Sequence, residues 1–184
     1  LTQGTHHRNQ QTYYMGDTPQ AYEANRLVMH MVALMYLLRR RYPHIIFTLE
    51  NPLASLCHHP LMQILEAPAN MGGMGMRVSF LSYCAYGDTH PPKPTHLWSN
   101  SGQLYDLLMP LKDHGRGVNE RIPARQCTNA GCECGSYGQH LRNETRRGVR
   151  GQGHIYNTEK YPEELCMDMT TTVNFAINDR CAHT

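Results

Sequence analysis

The stretch HIIFTLENP, residues 44–52, decides the predicted fold. Its first six residues form a short apolar, β-branched run bounded by Pro43 and Pro52, which is typical of a strand buried in a parallel sheet. Glu50 and Asn51 follow this run directly. Open α/β sheets place their ligand chemistry at the carboxyl ends of parallel strands, so a strand over 44–49 followed by an acidic turn indicates a functional edge.

The segment before this strand carries the pattern of a buried helix. Thr18 supplies an N-cap hydroxyl and Pro19 fits the first helical position. Apolar residues then recur at three- and four-residue spacing, and Pro43 ends the pattern. After the stretch 44–52 we predict a short helix over 61–67, strands over 76–85 and 95–99, an apolar cluster over 103–111, and a helix over 161–169.

The predicted fold class is α/β, with a partial Rossmann-like sheet and a long irregular insertion. Residues 1–111 form the second half of the core, residues 112–158 form a basic insertion that contains Cys and His, and residues 159–184 form a helix and tail that return to the core. Hydrophobic residues make up 40% of the chain and charged residues 17%, which indicates a soluble domain and argues against disorder.

The composition also indicates an intracellular protein. The longest apolar run, Leu27 to Leu38, is shorter than the roughly 20 residues that a membrane span needs. The residues after Leu1 do not form a signal-peptide pattern. Seven cysteines are an odd number, and four of them are scattered, which favours reduced thiols over a disulfide framework.

Charge is concentrated in the insertion. Between Lys112 and His154 eight basic residues stand against four acidic ones, a net charge of +4 in a chain whose total is +2. Such a segment could face the phosphates of a nucleic acid. The alternative is a solvated basic loop with no ligand.

Four blocks, in order, carry a resemblance to a known family. They are the residues 49–52 (LENP), the pair 83–87 (YCAYG) and 93–100 (KPTHLWSN), the arginine-containing segment 142–153, and 161–166 (YPEELC). Their order and spacing resemble the divergent DNA cytosine-5 methyltransferase-like proteins of phages, large viruses and some retrotransposons. The resemblance covers the second half of that catalytic domain and implies S-adenosylmethionine as the cofactor.

The resemblance implies roles for three residues. Glu50 and Asn51 correspond to the family's Glu-Asn pair after the fourth strand, and Lys93 lies in the block where a basic side chain helps hold the flipped cytosine. Cytosine C6 is a poor electrophile, so a thiolate adds to it only if the charge that builds on the ring is stabilised through N3. A carboxylic group beside N3 does this, with the base swung out of the duplex. Lys93 or Thr95 could bind the O2 or phosphate side.

Other interpretations of these residues stay open. Glu50 and Asn51 could instead cap the following turn, a role that both residue types often take near proline. Lys93 could be a solvated lysine in a proline-rich loop. The four blocks could also align by accident in an unrelated protein, because each of them is short.

Two elements that the family's reaction requires are missing from the 184 residues. No Pro-Cys dipeptide, the family's nucleophile motif, occurs in them, and none precedes Pro19, where the family has it. No glycine-rich strand-to-helix turn precedes Pro19 either, and that turn normally binds the cofactor. Cys84 is interpreted as a buried strand residue. We therefore expect that the chain is split, truncated or inactive by itself.

A cluster of soft ligands lies within the insertion, amid several glycines: Cys127, Cys132, Cys134 and His140. Four such ligands could close a tetrahedral zinc site and order a long loop. Their spacing is not that of a regular zinc finger or ribbon, so thiols with no metal or with an incomplete ligand set are the alternative. The arginines that could contact a nucleic-acid backbone follow this cluster: Arg142, Arg146, Arg147 and Arg150.

Two function hypotheses follow. The first is a split or truncated methyltransferase domain that acts on cytosine in DNA when a protein partner supplies the other half. The second is a non-catalytic structural or nucleic-acid-binding subunit of a larger assembly, with RNA as an alternative to DNA. Neither hypothesis involves a membrane.

Overall fold

A computed structural model describes residues 9–53, 55–86, 94–113, 119–124 and 161–181. Four α-helices lie within these ranges: α1 (Pro19–Arg41), α2 (Pro60–Glu66), α3 (Gly102–Leu108) and α4 (Glu163–Cys181). The described strands are β1 (Thr48–Pro52), β2 (Arg77–Ser82), β3 (Pro94–Ser99), β4 (Leu111–Asp113) and β5 (Asn119–Arg121). The α/β class predicted from the sequence is confirmed.

Two small sheets organise these strands. The first is antiparallel and has the order β1-β3-β2. The second is the antiparallel pair β4 and β5, in which Leu111 lies opposite Arg121 and Asp113 lies opposite Asn119. In β3 every residue from Thr95 to Ser99 is buried. Side chains alternate between the faces of a strand, so both faces of β3 are covered.

The helix α1 begins and ends where its sequence predicts. Thr18 is the N-cap, its Oγ1 accepts a hydrogen bond from the Ala21 amide (3.2 Å), and Pro19 occupies the first turn. Such a cap contributes about 1 kcal/mol to helix stability. The prediction of a buried helix is wrong for half of its surface, because only one face of α1 is buried and the opposite face carries exposed leucines.

The described residues divide into two compact units. The first runs up to Val78 and also contains Trp98–Asn100, and the second contains the remaining described residues. In the first unit α1 and α2 enclose one apolar core with Trp98: Val28, Val32, Met35, Leu56, Met62, Leu65, Met74 and Met76. Burying side chains of this kind contributes about 1.5–3 kcal/mol for each one that is fully enclosed.

The second unit has a core of its own. Its buried residues come from the end of β2, the following 3-10 turn, β3, α3 and α4: Leu81, Tyr83, Tyr86, Leu97, Leu104, Leu108, Met109 and Leu165. Arg121 of β5 contacts the end of α3. It forms an ion pair with Asp106 (2.7 Å) and donates a hydrogen bond to the Met109 carbonyl oxygen (2.8 Å). This unit is thus held by α3 packing on α4 and by the β4–β5 hairpin.

The predicted strand over 44–49 is placed wrongly by about four residues. The observed strand β1 begins at Thr48, and residues 44–47 are outside it. Side chains take the place of a strand ladder there: Asn100 Oδ1 accepts from the Phe47 amide (2.7 Å), and Asn100 Nδ2 donates to the Ile45 carbonyl oxygen (2.9 Å). The apolar run therefore precedes the strand, which itself is half polar, as antiparallel strands usually are.

The sheet that contains β1 also differs from the prediction, because its strands are antiparallel where a parallel sheet is expected. The predicted strand over 76–85 ends at Ser82, and a 3-10 turn over Tyr83–Tyr86 follows, so Cys84 lies in a turn and not in a strand. The segment after Lys112, predicted to be irregular, contains the β4–β5 hairpin in its described part. The last helix reaches Cys181, beyond its predicted end.

Candidate functional site at strand β1

Glu50 and Asn51 both lie on strand β1, but they differ in how far their side chains are buried. Glu50 is half-buried, and its Oε1 atom is shielded from solvent. Asn51 is buried, and its Nδ2 donates to the Pro52 carbonyl oxygen (2.7 Å). Because side chains alternate along a strand, Glu50 lies on the face opposite to Leu49 and Asn51. Leu49 packs against the first unit's core, so that core anchors the backbone that presents Glu50.

The backbone before Glu50 is held to the end of β3 by side-chain hydrogen bonds. In addition to the two bonds from Asn100, the Ser99 hydroxyl donates to the Phe47 carbonyl oxygen (2.9 Å). Three bonds thus tie the backbone of Ile45 and Phe47 to two consecutive residues. A carboxylate three residues further on is placed by a fixed backbone, as a functional group requires.

Asn51 donates to the carbonyl oxygen of the next residue, Pro52, within strand β1, and the alternative role of Asn51 as a cap of the following turn stays a prediction. This bond occupies one amide hydrogen of Asn51. The catalytic assignments of Glu50 and Asn51 both stay predictions. Thr95 lies on β3 and is buried.

A buried polar chain beside α1 was not predicted from the sequence. His59 is fully buried and caps α2, because its Nδ1 accepts a hydrogen bond from the Leu61 amide (3.2 Å). Its Nε2 lies 3.3 Å from Asn25 Oδ1, and Asn25 Nδ2 donates to the Met15 carbonyl oxygen (2.7 Å). Since Nδ1 is an acceptor, the proton belongs on Nε2. The imidazole is therefore neutral and joins α2, α1 and the loop before α1.

That loop has an unusual backbone. Tyr13 and Tyr14 have φ angles of 49° and 58°, in the left-handed region that residues with a side chain rarely adopt. The ring of Tyr14 lies against the His58 ring, with 4.7 Å between centroids and a 31° angle between planes. Two consecutive residues in this region cost roughly 1–3 kcal/mol each, so contacts such as the bond from Asn25 must hold the loop.

The surroundings of Cys57 are not those of an activated nucleophile. Burial raises the pKa of the Cys57 thiol, and the nearby Glu66 carboxylate raises it further. A thiol with a raised pKa is protonated at neutral pH and reacts slowly. Cys166, on α4, is also half-buried. The Cys57 thiol is therefore not an activated nucleophile in this fold.

The glycines between α2 and β2 do not form a cofactor turn. Gly72, Gly73 and Gly75 lie between α2 and β2, after a helix and before a strand. A nucleotide-binding turn has the reverse order, since it leads from a strand into a helix whose N-terminus faces the ligand. These three glycines therefore do not have the arrangement of a nucleotide-binding turn, and Gly102, the first residue of α3, is a single glycine in the turn from β3 into that helix.

Several predicted site residues lie outside the described residues. They are Lys93, the proposed zinc ligands Cys127, Cys132, Cys134 and His140, and the four arginines Arg142, Arg146, Arg147 and Arg150. Among the residues that are described, no group of three His, Cys, Asp or Glu side chains could hold a metal ion. Within the same ranges, α1 and the other helices are too short or too polar to cross a bilayer.

Sequence reasoning thus identified Glu50, which the structure places on an anchored strand, and missed the polar chain through His59. A histidine before proline, His59-Pro60, is a weak sign of a helix start, and only the fold brings it to Asn25. Comparison of the chain with protein-family models, with curated proteins and with solved structures gave no match, so its function has to be inferred from its own residues.

Proposed function

We propose that this chain is a DNA (cytosine-5) methyltransferase-like domain, split or truncated, whose Glu50 stabilises charge at N3 of a flipped cytosine. The observation that supports this most directly is the placement of Glu50. Its carboxyl group has one oxygen shielded from solvent and is carried by a strand that is anchored at Leu49 and, just before its first residue, at Phe47. A group held in this way can meet a nucleobase without reorganising.

The proposed role of Glu50 is to donate a proton to the cytosine ring. As a carboxylic acid it would donate its proton toward N3 while a thiolate adds to C6, so negative charge does not accumulate on the ring. S-adenosylmethionine supplies the methyl group in the family that the sequence resembles. The described residues offer neither the thiolate nor the glycine-rich turn, and a second chain or another segment would provide both.

The basic insertion completes this proposal. Arg142, Arg146, Arg147 and Arg150 would contact the DNA backbone and set the position of the protein without specifying sequence. Cys127, Cys132, Cys134 and His140 would bind zinc and order the insertion, and Lys93 would contact the cytosine or its phosphate. Activity on DNA implies an intracellular location. A Rossmann-like core would require parallel strands in addition to the described ones.

The decisive experiment measures methyl transfer from labelled S-adenosylmethionine to cytosine in duplex DNA. The chain is assayed alone and together with proteins encoded next to it. In a combination that is active, we expect Glu50→Gln to lower the rate by about 10²–10³, as the loss of one charge-stabilising donor does. The matched control is Glu120→Gln, an exposed glutamate of the β4–β5 hairpin. Absence of transfer in every combination contradicts the enzyme proposal.

Two observations favour a second function. The chain contains no Pro-Cys dipeptide, and the pKa of Cys57 is raised and not lowered. Both facts suit a non-catalytic nucleic-acid-binding subunit that keeps the scaffold. This function predicts salt-dependent binding to DNA or RNA that Glu50→Gln leaves unchanged, with the arginines of the insertion responsible for the salt dependence. Failure to bind either nucleic acid at low salt contradicts it.

A further inference from the structure

His59 belongs to a buried polar chain of the first unit. Its ring is fully enclosed, and both ring nitrogens have partners: Nδ1 accepts from the Leu61 amide (3.2 Å), and Nε2 lies 3.3 Å from Asn25 Oδ1. Asn25 in turn donates to the Met15 carbonyl oxygen (2.7 Å). Only the neutral ring with its proton on Nε2 fits these partners, because Nδ1 has to accept a hydrogen bond.

Protonation of the ring is incompatible with this arrangement. A second proton on Nδ1 places an N–H donor opposite the Leu61 N–H donor, so the hydrogen bond that caps α2 is lost. A charged ring in an interior that excludes water is also strongly disfavoured. The ring therefore has to leave its site when it takes up the proton, and its contact with Asn25 is lost at the same time.

Two neighbouring ionisable groups oppose this release. Glu66 lies seven residues after His59, about 10 Å along the axis of α2, and its negative charge favours a positively charged ring. The exposed His58 ring lies against the Tyr14 ring, and protonation of His58 adds a cation–π attraction to that contact. The lost cap and the enclosure of His59 act at contact distance, so we expect them to outweigh both opposing contributions.

The other elements next to His59 contribute little charge. The buried neighbours of Asn25 on α1, Ala21 and Val28, are apolar. On the turn before α2, burial raises the pKa of the Cys57 thiol, so this group is neutral below pH 8. In the loop before α1, Asp17 is exposed to solvent, which screens its charge. The response to acid in this region therefore depends mainly on the His59 ring.

The loop before α1, residues 9–17, contains backbone strain that favours its opening. Tyr13 and Tyr14 have φ angles of 49° and 58°, in the left-handed region. The bond from Asn25 to Met15 holds this loop on α1, and the contact with His59 orients the Asn25 amide that makes the bond. When the ring leaves, Asn25 loses that orientation, and the strain is then released by opening of the loop.

We propose that His59 is a pH-sensitive switch whose protonation releases the first turn of α2 and, through Asn25, the loop before α1. The proposal is independent of the function proposed above. An exposed imidazole takes up a proton near pH 6.5, so the open form binds one proton more than the closed form. The closed form is therefore favoured above about pH 6.5 and loses stability as the pH falls below it. Between pH 7.5 and pH 5.0 the opening equilibrium constant should rise about thirtyfold.

Hydrogen–deuterium exchange of the full chain at pH 7.5 and pH 5.0, corrected for the intrinsic exchange rates, tests the proposal. We expect the protection of residues 12–16 and 59–63 to fall about thirtyfold at the lower pH, while α3 in the second unit keeps its protection. A native chain with the same protection of these two segments at both pH values overturns the proposal. An equal loss of protection in α3 also overturns it, because such a loss is general acid unfolding.

Two variants test the two links of the chain separately. His59→Asn keeps a capping side chain that does not titrate, so the fall in protection should disappear, whereas His30→Asn, at an exposed position of α1, is the matched control and should respond like the native chain. Asn25→Ala should expose residues 12–16 to exchange already at pH 7.5, while the fall at residues 59–63 persists.

Either variant can refute the proposal. A His59→Asn chain that responds to pH as the control does overturns it, and so does an Asn25→Ala chain that protects residues 12–16 as well as the native chain does. Fluorescence of Trp98, the single tryptophan, checks that each variant is folded. If His59→Asn does not fold, the Asn25→Ala chain and the pH comparison of the native chain still decide.

Discussion

The bond between the indole of Trp98 and the carboxylate of Glu66 permits a quantitative test of the first unit's core. Trp98 is fully buried, and its Nε1 donates to Glu66 Oε1 at 2.7 Å. A hydrogen bond to a charged group contributes about 1.5–3 kcal/mol, and a buried donor without a partner is costly. We predict that Glu66→Leu, which removes the acceptor, lowers the free energy of unfolding.

The expected change in the free energy of unfolding also includes a contribution from the helix dipole of α2. Glu66 is the last residue of α2, where a negative charge is unfavourable to the helix dipole by about 0.3–1 kcal/mol, and Glu66→Leu relieves that cost. The expected loss is therefore about 1–2.5 kcal/mol. Glu66→Gln relieves the same cost but keeps an acceptor, so it should change stability by less than about 0.5 kcal/mol. The difference between the two variants isolates the bond to Trp98.

Urea unfolding followed by tryptophan fluorescence is the assay, because Trp98 is the chain's single tryptophan. With a slope of about 1–3 kcal/mol per molar urea, Glu66→Leu should lower the midpoint by roughly 0.3–2.5 M, and by about 0.9 M at a slope of about 2 kcal/mol per molar. Gln63→Leu, which places the same side chain at an exposed position of α2, is the control and should have little effect. Equal midpoints for the Glu66→Gln and Glu66→Leu variants would refute the reasoning.

Two further predictions concern a thiol and a glycine. The pKa of Cys57 is raised in the folded protein, so the thiol contributes stability at neutral pH that is lost as the pH rises through the folded pKa. Cys57→Ala should therefore reduce the decline of the urea midpoint at alkaline pH. An unchanged decline would contradict this. A Cβ at Gly73 would overlap the Ala67 backbone, so Gly73→Ala should cost more than about 2 kcal/mol, whereas Gly102→Ala, with open space around it, should be neutral or stabilising in thermal unfolding.

Local signals predicted α1 and α2 well, whereas α3 was predicted only as an apolar cluster and the end of α4 was placed twelve residues too early. The bounds of α1 follow from Thr18, Pro19 and Pro43, because a capping hydroxyl and a fixed proline φ act through neighbouring residues only. Strand β3 was also predicted almost to the residue, from the run between Thr95 and Ser99. In each case the determinant and the element are adjacent in the chain.

The strand β1 shows why other features were not predictable. The backbone of Ile45 and Phe47 bonds to Ser99 and Asn100, more than fifty residues later, and this contact displaces the strand toward Pro52. No local pattern contains that information. Glu50 was selected as a candidate because a polar residue after an apolar run is visible in the sequence, and its role stays a prediction. Its partial burial was not predictable, because burial depends on the neighbours that the fold supplies.

The buried imidazole of His59 has a consequence for how the first unit opens. The His59 ring accepts a hydrogen bond from the first turn of α2, and through Asn25 it is linked to the loop that precedes α1. Breaking either link leaves a polar group without its partner in the interior, which couples the two segments energetically. The lead-in residues around Met15 should therefore resist local unfolding as strongly as the helix pair does, and should not fray as chain-terminal segments commonly do.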